Sequence, residues 1–465
     1  MKSDIRNIKR VWLIGIGGIG MSALARYFML HGLKVEGYDL ISSALTETLQ
    51  NEGAKITFSD KEEDITENFL NKDGTLVIFT PAVPNNHPQL CFFKENGFLV
   101  KKRSEVLGMI TENSKAIAIS GTHGKTTIST MTAYLFASSK VGGTAFLGGI
   151  SKNYNSNFIW NEQSPFVVLE ADEYDKSFLQ LYPTSALISA VDADHLDIYK
   201  SLDNIKSAFR SFVGQIKKGG NLVIKEGVSL NLDDIKYISI YKYSITEKSD
   251  FYAENIELID GKYHFNIKTP SNVIENCQLG VPGLLNLENA VGAAALAWLN
   301  GVENSEIVEA LKDFKGIARR FDKRISSDKI VYIDDYAHHP AEIEATLRSV
   351  KSMYPDKKVV AIFQPHLYSR TQDFAKEFGE SLNYADELFL IDVYPARELP
   401  IEGVNSQLIG RYSNVKDIKY CDKYELVDKI ELTENSVIIT MGAGDIDRIV
   451  ADLEKKIINE CNLNF

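Results

Sequence analysis

Between Ile117 and Thr127 an apolar run gives way to two glycines, and the second glycine is followed by a lysine and two threonines. Glycines let backbone N–H groups converge on phosphate oxygens, and a helix that begins after them adds the positive end of its dipole. Lys125 could reach terminal phosphates, and the Thr126 hydroxyl could hold Mg²⁺. The pattern predicts a cradle for a nucleoside triphosphate, shorter than the usual G-x-x-x-x-G-K-[ST] loop because Ile119 stands where the first glycine would be.

The same residues could form an ordinary strand, turn and helix with an exposed lysine. The apolar run before the glycines is typical of a buried strand, and Ile128, Met131 and Leu135 follow at helical spacing. Strand, glycine turn and helix are the elements that a phosphate cradle needs, so this context favours the cradle.

A second glycine-rich turn lies near the N-terminus. The strand pattern Val11–Ile14 leads into Gly-Ile-Gly-Gly-Ile-Gly at 15–20, and Asp39 follows about 20 residues later at the end of the next strand pattern. This fingerprint binds a pyrophosphate flanked by a ribose, so the residues alone fit NAD as well as a nucleotide-sugar. Thr80 ends another apolar strand, where open α/β sheets place ligands.

Acidic residues follow two apolar strands in the middle of the chain. The strand at 166–169 is followed by Glu170 and two further acids, where a nucleotide-bound Mg²⁺ finds a carboxylate. The strand at 186–191 is followed by Asp-Ala-Asp-His-Leu-Asp at 192–197, in which His195 could serve a second metal position. The aspartates of this run could equally be turn or helix-cap residues.

Further polar candidates stand in the C-terminal half. Asn286 and Asn289 are three residues apart and could share one face of a helix or cap it. Arg320 belongs to an arginine pair and could clamp a triphosphate, although such pairs are more often solvated or salt-bridged. Two more apolar strands run into the polar segments 334–340 and 364–371.

The order of elements predicts an α/β protein of three domains, because strand, loop and helix alternate at both ends and in the centre of the 465 residues. We place the domains at 1–109, 110–322 and 323–465. The first and third should be Rossmann-like, and the central phosphate-loop domain should have a mostly parallel sheet with extra strands. A hairpin is expected at Asp260-Gly261, where Val, Ile, Tyr and Phe alternate with polar residues.

Composition limits the classes of function. The net charge of −12 argues against a general nucleic-acid or anionic-membrane surface. The four cysteines are far apart and form no C-x-x-C pair, which fits a reducing compartment. There is neither an export signal nor an apolar run of ~18 residues. We therefore expect a cytoplasmic protein without nucleic-acid or membrane partners, and a monomer or weak homodimer.

Six motifs, taken in order, resemble those of the Mur ligases, the ATP-dependent amide-forming enzymes of peptidoglycan assembly. They are Gly15–Gly20, Gly121–Thr127, Glu170–Glu173, Asp194–Asp197, Asp334–Pro340 and His366–Thr371. One motif alone would be weak evidence, but six in order along the chain are specific. The resemblance implies a UDP-sugar module, a central ATPase and a C-terminal domain that closes over ATP and presents an amino acid. It also favours UDP over NAD at the N-terminal glycine turn.

Within the family, the motifs are most similar to those of the alanine-adding members. The resemblance implies that the carboxylate of UDP-N-acetylmuramate attacks the γ-phosphate of ATP, and that the amine of L-alanine then displaces phosphate from the acyl phosphate. Expected ligands are therefore UDP-N-acetylmuramate, L-alanine and ATP, with Mg²⁺ as cofactor and Mn²⁺ as an alternative. A ligase that attaches a preformed tripeptide and a non-catalytic sensor of nucleotide-sugar and ATP are the alternatives.

The resemblance also implies roles for individual residues, carried over motif by motif. The residues expected in catalysis are Lys125, Glu170, His195, Arg370 and His366. Those expected to bind ATP are Gly121, Thr122, His123, Gly124, Lys125, Thr126, Thr127, Asn286, Asn289, Arg320, Asp335 and His338. Those expected to bind the UDP-sugar are Gly15, Gly17, Gly18, Ile19, Gly20, Asp39, Thr80 and Arg103. Thr126, Glu170 and His195 are the expected metal ligands, and the base for the alanine amine stays open among His123, His338 and His366.

Overall fold

The computed structural model describes residues 7–192, 196–396 and 398–461. The chain forms two compact units. The first contains the part up to Pro282 together with Asn286–Lys315, and the second contains Gly283–Leu285 and the part from Gly316 onward. Within the described ranges, every helix is too short or too polar to cross a membrane.

The first unit contains two sheets, of which the N-terminal one is entirely parallel. Its strands are β1 (Arg10–Ile14), β2 (Lys34–Tyr38), β3 (Lys55–Thr57), β4 (Thr75–Phe79) and β5 (Leu99–Lys102). Its helices are α1 (Ile19–Leu30), α2 (Ala44–Asn51), α3 (Pro88–Glu95) and α4 (Arg103–Glu112). The strand order is β3-β2-β1-β4-β5. Successive strands are therefore added on one side of β1 up to β3 and on its other side from β4 onward, and open α/β sheets bind ligands at such a switch point, here between β1 and β4.

The second sheet of this unit is mixed. Its strands are β6 (Lys115–Ser120), β7 (Thr144–Ser151), β8 (Ser156–Ile159), β9 (Phe166–Glu170), β10 (Ser185–Ile188), β11 (Asn221–Lys225), β12 (Ser239–Ser244), β13 (Phe251–Ile259), β14 (Lys262–Lys268) and β15 (Val273–Gln278). The helices that accompany it are α5 (Lys125–Ala137), α6 (Leu196–Tyr199), α7 (Leu202–Val213), α8 (Leu284–Leu299) and α9 (Asn304–Asp313). The order is β15-β14-β13-β12-β11-β10-β6-β9-β7-β8, with antiparallel pairing only at the two ends, β13-β14-β15 and β7-β8.

The second unit contains one sheet. Its strands are β16 (Asp322–Ser326), β17 (Ile330–Asp335), β18 (Lys358–Phe363), β19 (Glu387–Ile391), β20 (Asp417–Cys421) and β21 (Ser436–Met441). Its helices are α10 (Pro340–Met353), α11 (Tyr368–Asp373), α12 (Ala375–Ser381), α13 (Ser406–Gly410), α14 (Lys423–Lys429) and α15 (Val450–Glu460). The order is β16-β17-β21-β18-β19-β20, and only the edge strand β16 is antiparallel to its neighbour.

These sheets confirm the predicted fold class: the first is a parallel α/β sheet, the last is parallel except for its edge strand β16, and the central one is mostly parallel with extra strands. The predicted hairpin joins β13 to β14 through Asp260 and Gly261, whose φ angles of +49° and +73° suit a two-residue hairpin turn. The sequence reasoning missed the β7–β8 hairpin and the edge strand β20, because β8 and β20 are short and partly polar and two adjacent glycines interrupt the pattern of β7. The exact domain limits 1–109, 110–322 and 323–465 stay predictions.

Trp12 shows how the N-terminal sheet is stabilised. Strand β1 is apolar from Val11 to Ile14 because parallel strands are covered on both faces. The indole of Trp12 is 1% exposed, packs edge-on against Phe69 and tilted against Phe93, and donates its N–H to Gln89 over 3.3 Å. Its large apolar area and its satisfied N–H make it a main contributor to this core.

We expect Trp12→Ala to lower the free energy of unfolding of the first unit by about 3–5 kcal/mol, because the surrounding side chains cannot fill the cavity. Urea-induced unfolding followed by far-ultraviolet circular dichroism measures the change. Leu40→Ala is the matched control, since Leu40 is 75% exposed and its loss should change the free energy by no more than about 0.5 kcal/mol. Equal stability of the two variants would contradict this account of the core.

Candidate active site

The turn between β6 and α5 has the backbone that the phosphate-cradle prediction requires. Gly121 and Gly124 have φ angles of +138° and +80°, which favour glycine. A Cβ atom on Gly121 would also lie 2.1 Å from Oγ of Ser189, directly after β10. Gly124 is the N-cap of α5, so the first N–H groups of α5 border this turn. The turn therefore combines close backbone packing with a helix N-terminus.

Lys125 is held inside this turn by two short contacts. Its Nζ donates to the carbonyl oxygen of Gly121 and to Oε1 of Glu173, each over 2.8 Å. The Lys125 side chain is only 14% exposed, and that of Glu173 only 1%. The ammonium group is thus compensated by an internal carboxylate at the position where a terminal phosphate is expected.

The titration of this pair is set by burial and by the neighbouring acids. Burial raises the pKa of the Glu173 carboxyl to about 7, although the Lys125 charge favours its ionised form. Burial alone would lower the pKa of Lys125, but the charges of Glu173, Asp172 and Glu170 outweigh it and raise that pKa. A triphosphate that reached Lys125 would therefore compete with Glu173 for one ammonium group.

The oxygen ligands predicted for a metal lie near this loop. Glu170 ends β9 and pairs in parallel register with Ile119 of β6, and Thr126 is buried in the first turn of α5. Carboxylate and hydroxyl oxygens suit Mg²⁺, which prefers hard ligands. His195 lies outside the described residues. Within the described ranges no three His, Cys, Asp or Glu side chains form a metal-binding group, so the metal site stays a prediction.

Thr122 and His123 link the turn to the segment after β10. The Thr122 hydroxyl donates to Oδ2 of Asp192 over 3.3 Å and accepts from the Asp192 N–H over 3.2 Å. Nε2 of His123 lies 3.6 Å from the same carboxylate oxygen. Asp192 therefore orders the cradle. Thr127 is half-buried in the first turn of α5.

The two asparagines of α8 have different surroundings. The amide of Asn286 donates to the carbonyl oxygen of Pro282 over 2.6 Å, which is the helix-end role that the sequence left open. Oδ1 of Asn289 lies 3.1 Å from the position a Cβ atom on Gly124 would take. The structure thus brings Asn289, but not the Asn286 amide, against the cradle.

The N-terminal glycine turn forms a second cradle in the same unit. Gly15 has a φ of +84°, and the N–H of Gly17 donates to Oδ2 of Asp39 over 2.7 Å. Gly18 is the N-cap of α1, and Ile19 is the first residue of that helix. Asp39 therefore contacts the glycine turn itself, and its role in binding the UDP part of a ligand stays a prediction.

Two further residues were predicted for this cradle. The Arg103 guanidinium lies against Gly20, because a Cβ atom there would be 2.2 Å from Nη1. Thr80 follows β4, is half-buried, and accepts the Ala82 N–H over 3.3 Å through its hydroxyl. Arg103 is thus placed beside the glycine turn, while Thr80 shapes the loop after β4.

In the second unit, the arginine pair divides into two roles. Arg319 donates to the carbonyl oxygen of Gly442 over 2.8 Å and lies 3.4 Å from the Asp334 carboxylate, so it is a structural residue. The Arg320 guanidinium stacks on the Tyr336 ring at 4.8 Å from its centroid. The Arg319 guanidinium lies over the same ring at 5.3 Å from its centroid, so both arginines face the segment after β17, and Arg319 has the contacts with Gly442 and Asp334 in addition.

Asp335 and His338 lie in this same segment. Asp335 is buried and accepts hydrogen bonds from the Thr346 hydroxyl over 2.8 Å and from the Ala337 N–H over 3.2 Å. Burial raises the pKa of Asp335 to about 6, and it lowers the pKa of His338 to about 4. Nδ1 of His338 lies 3.0 Å from the Tyr336 carbonyl oxygen. A neutral histidine with so low a pKa is a weak base for an amine.

His366 and Arg370 follow β18. The His366 ring stacks on Tyr394 with 5.7 Å between centroids and lies 6.3 Å from the His338 ring. Arg370 is in α11, and its charge acts on His338. Leu367 has a φ of +70°, a left-handed conformation that is strained for leucine and sets the direction of α11. The structure thus gathers Arg320, His338, His366 and Arg370 in one region of this unit.

Sequence reasoning missed three contributors to these sites: Ser189, the pairing of Glu173 with Lys125, and the Tyr336 ring under Arg320. Tyr336 stands inside a motif that was recognised, and Glu173 was one of the acids noted after β9. Their partners could not be read from spacing, because Lys125 and Glu173 are 48 residues apart.

Family models match three consecutive parts of the chain. A model described as Mur ligase family, catalytic domain, matches residues 10–115. A model of the Mur ligase middle domain matches residues 119–297. A model described as Mur ligase, glutamate ligase domain, matches residues 319–444.

Individual proteins match over nearly the whole chain. The UDP-N-acetylmuramate–L-alanine ligase of Phocaeicola vulgatus is 47% identical over 453 residues, which cover 97% of this chain and 98% of the relative. The ligase of the same name from Porphyromonas gingivalis is 45% identical, with coverage of 98% and 100%.

Solved structures match equally broadly. The UDP-N-acetylmuramate-alanine ligase of Thermotoga maritima has a TM-score of 0.82 and 27% identity, and the match covers 97% of this chain and 99% of that one. A murein peptide ligase from Psychrobacter arcticus has a TM-score of 0.70 at 21% identity over 97% and 99%, which shows a shared fold.

The opposite shifts of His338 and Asp335 predict a pH dependence of stability in the second unit. His338 resists protonation down to about pH 4 when folded, against 6.5 as the ordinary value, so its contribution is lost as pH falls through this window. Asp335 has the opposite sign: its contribution is lost as pH rises from 3.8 to about 6. We expect His338→Asn to reduce the loss of melting temperature between pH 7 and pH 5, and Asp335→Asn to increase it. Calorimetric melting at both pH values measures this, and equal losses in all three proteins would contradict it.

Proposed function

The chain belongs to the Mur ligase family, and on this basis we propose that it joins L-alanine to the carboxylate of UDP-N-acetylmuramate, converting ATP to ADP and phosphate. Full-length identity of 44–47% to ligases of this name supports the reaction. The presence of two phosphate cradles in one compact unit is the structural observation that carries it, since the reaction needs a nucleotide-sugar and a triphosphate together. The product, UDP-N-acetylmuramoyl-L-alanine, is a peptidoglycan precursor.

The reaction has two steps. A muramate carboxylate oxygen attacks the γ-phosphorus of ATP, the bond to the β,γ-bridging oxygen breaks, and ADP leaves. The unprotonated amine of L-alanine then attacks the acyl carbon, the tetrahedral intermediate expels phosphate, and the amine nitrogen loses a proton. The first step brings two anions together, so positive charge at the γ-phosphate is the main requirement.

In the first unit, we propose that Lys125 supplies this charge once ATP replaces Glu173 as its partner. The N–H groups of the turn Gly121–Thr127 would bind the phosphates, and Asn289 would contact the nucleotide. The Thr126 hydroxyl, the Glu170 carboxylate and His195 would hold Mg²⁺ or, as an alternative, Mn²⁺. When bound, the metal ion would supply further positive charge to the triphosphate.

The remaining assignments follow from the family motifs and the contacts described above. The glycine turn at 15–20, with Asp39, Thr80 and Arg103, would bind the UDP part of the nucleotide-sugar. Asn286 would help to bind ATP from the start of α8. In the second unit, we propose that the polar residues after β17 and β18 bind ATP and the amino acid; these are Arg320, Asp335, His338, His366 and Arg370. We also propose the cytoplasm as the compartment and a monomer or weak homodimer as the assembly, without nucleic-acid or membrane partners.

The decisive experiment compares acceptors. We expect phosphate release with ATP, Mg²⁺ and UDP-N-acetylmuramate to be fastest with L-alanine and slower with glycine or L-serine, and the product mass to increase by one alanyl residue. Turnover only with L-Ala-γ-D-Glu-meso-diaminopimelate would instead make the chain a tripeptide ligase. Binding of both nucleotides without any turnover would make it a sensor.

A second test concerns Lys125. We expect Lys125→Ala to lower kcat by about 10²–10³, the scale for the loss of one charge-stabilising group, and to leave the Kd of UDP-N-acetylmuramate unchanged. Lys140→Ala is the control, because Lys140 is 80% exposed and pairs with Glu303 at the surface. Turnover of the Lys125 variant at the level of the Lys140 variant would remove Lys125 from the mechanism.

A further inference from the structure

We propose that Asn157, in β8, is a positioning residue that fixes the glycine turn of the UDP-sugar cradle relative to the carboxylate of Glu170. This inference rests on the proposed function, because it concerns the distance between the two substrates. Asn157 is fully buried, and it belongs to the central sheet, whereas the glycine turn belongs to the N-terminal sheet of the same unit.

Both the nitrogen and the oxygen of the Asn157 side-chain amide form hydrogen bonds with residues of α1. Its Nδ2 donates to the carbonyl oxygen of Ile19 and, over 2.8 Å, to Oγ of Ser22. Its Oδ1 accepts a hydrogen bond from Nη1 of Arg26. Ile19 is the first residue of α1, directly after Gly18, so these bonds hold the helix turn whose N-terminus forms the predicted pyrophosphate site.

Arg26 extends this network to a third element. Its guanidinium is almost completely buried, and Nε donates to Oε2 of Glu52, at the C-terminal end of α2, over 2.7 Å. Removing the Asn157 side chain would leave a buried guanidinium N–H of Arg26 without its acceptor, which is costly in a dry environment, whereas the Ile19 carbonyl oxygen would keep the Ser22 hydroxyl as a donor. The side chain therefore specifies one position of α1 on the hairpin.

Aromatic packing fixes the other end of the same helix. The Tyr27 ring lies 5.5 Å from Phe146 of β7, 6.4 Å from Phe158 of β8 and 5.9 Å from Trp160, centroid to centroid. Helix α1 is thus attached to the β7–β8 hairpin at both ends, by hydrogen bonds at its start and by aromatic rings near its end. Such a two-point attachment suppresses both sliding and rotation of the helix.

The opposite side of the hairpin reaches the catalytic carboxylate. Strand β7 pairs with β9, which ends at Glu170, and a Cβ atom on Gly148 would lie 2.1 Å from Oε2 of Glu170. The same hairpin therefore contacts the glycine turn through Asn157 and the Glu170 carboxylate through Gly148. A muramate carboxylate anchored at its UDP end must reach the γ-phosphate to about 3–3.5 Å, and an error of about 1 Å can cost about 10²-fold in rate. The hairpin acts as the spacer between the two cradles.

The test separates positioning from folding by using two substitutions. Asn157→Ala removes all three contacts, while Asn157→Asp keeps the acceptor for Arg26 and loses the N–H donors to Ile19 and Ser22. We expect both variants to raise the Kd of UDP-N-acetylmuramate about 10-fold or more and to lower kcat about 10-fold or more, with the Kd of ATP unchanged. The Asp variant should lose less melting temperature than the Ala variant, since it retains the pairing with Arg26.

Asn153 provides the matched control on the same hairpin. Its Oδ1 accepts the Lys315 N–H and its amide donates to the Asp313 carbonyl oxygen, each over 2.9 Å, so it holds no part of α1. Asn153→Ala should leave both Kd values and kcat unchanged. If the wild type binds and turns over its substrates, and the Asn157 variants have the same UDP-sugar Kd and kcat as the Asn153 variant, this inference is wrong while the proposed function stands. A wild type that neither binds UDP-N-acetylmuramate nor transfers L-alanine would overturn the proposed function and this inference with it.

Discussion

Strands β6, β9 and β10 end side by side at the same edge of the central sheet, and the candidate site of the first unit depends on this alignment. Parallel register places Ile119 of β6 beside Glu170 of β9, and Ser120 of β6 beside Ile188 of β10. The glycine turn, Glu170 and the serine that packs against Gly121 therefore meet at one edge of the sheet. Apolar strand interiors fix this register, so hydrophobic packing positions polar chemistry at the strand ends.

Charge at this edge is balanced before any ligand arrives. The charge of Lys125 is balanced by Glu173, Asp172 and Glu170, and burial raises the pKa of the Glu173 carboxyl although Lys125 favours its ionised form. The triphosphate of the proposed reaction would bring several further negative charges and would compete with Glu173 for the ammonium group. Without that group the Glu173 carboxylate would need a proton or another cation, so the proposed nucleotide binding would be linked to the protonation of this acid.

Local chemistry could be predicted from the sequence, and long-range pairing could not. The glycines, Lys125 and the acid after β9 could be named as candidates because binding of phosphate and Mg²⁺ would require residues of these types at this spacing. Which arginine of the pair is structural became clear only when Arg319 was found beside Asp334. No motif in the sequence marks Asn157, and the role that we propose for it depends on contacts with residues more than 130 positions earlier in the chain.

The placement of the indole rings has a spectroscopic consequence. The chain has three tryptophans, Trp12, Trp160 and Trp298, and all belong to the first unit. Trp12 is buried in the N-terminal core, Trp160 lies beside Tyr27, and Trp298 packs on Phe251 at 5.7 Å. Fluorescence excited at wavelengths that only tryptophan absorbs therefore reports on the first unit alone. The second unit contributes to the tyrosine fluorescence and to the circular dichroism of the peptide backbone. Intrinsic fluorescence and circular dichroism recorded on one unlabelled sample can thus resolve the unfolding of the two units.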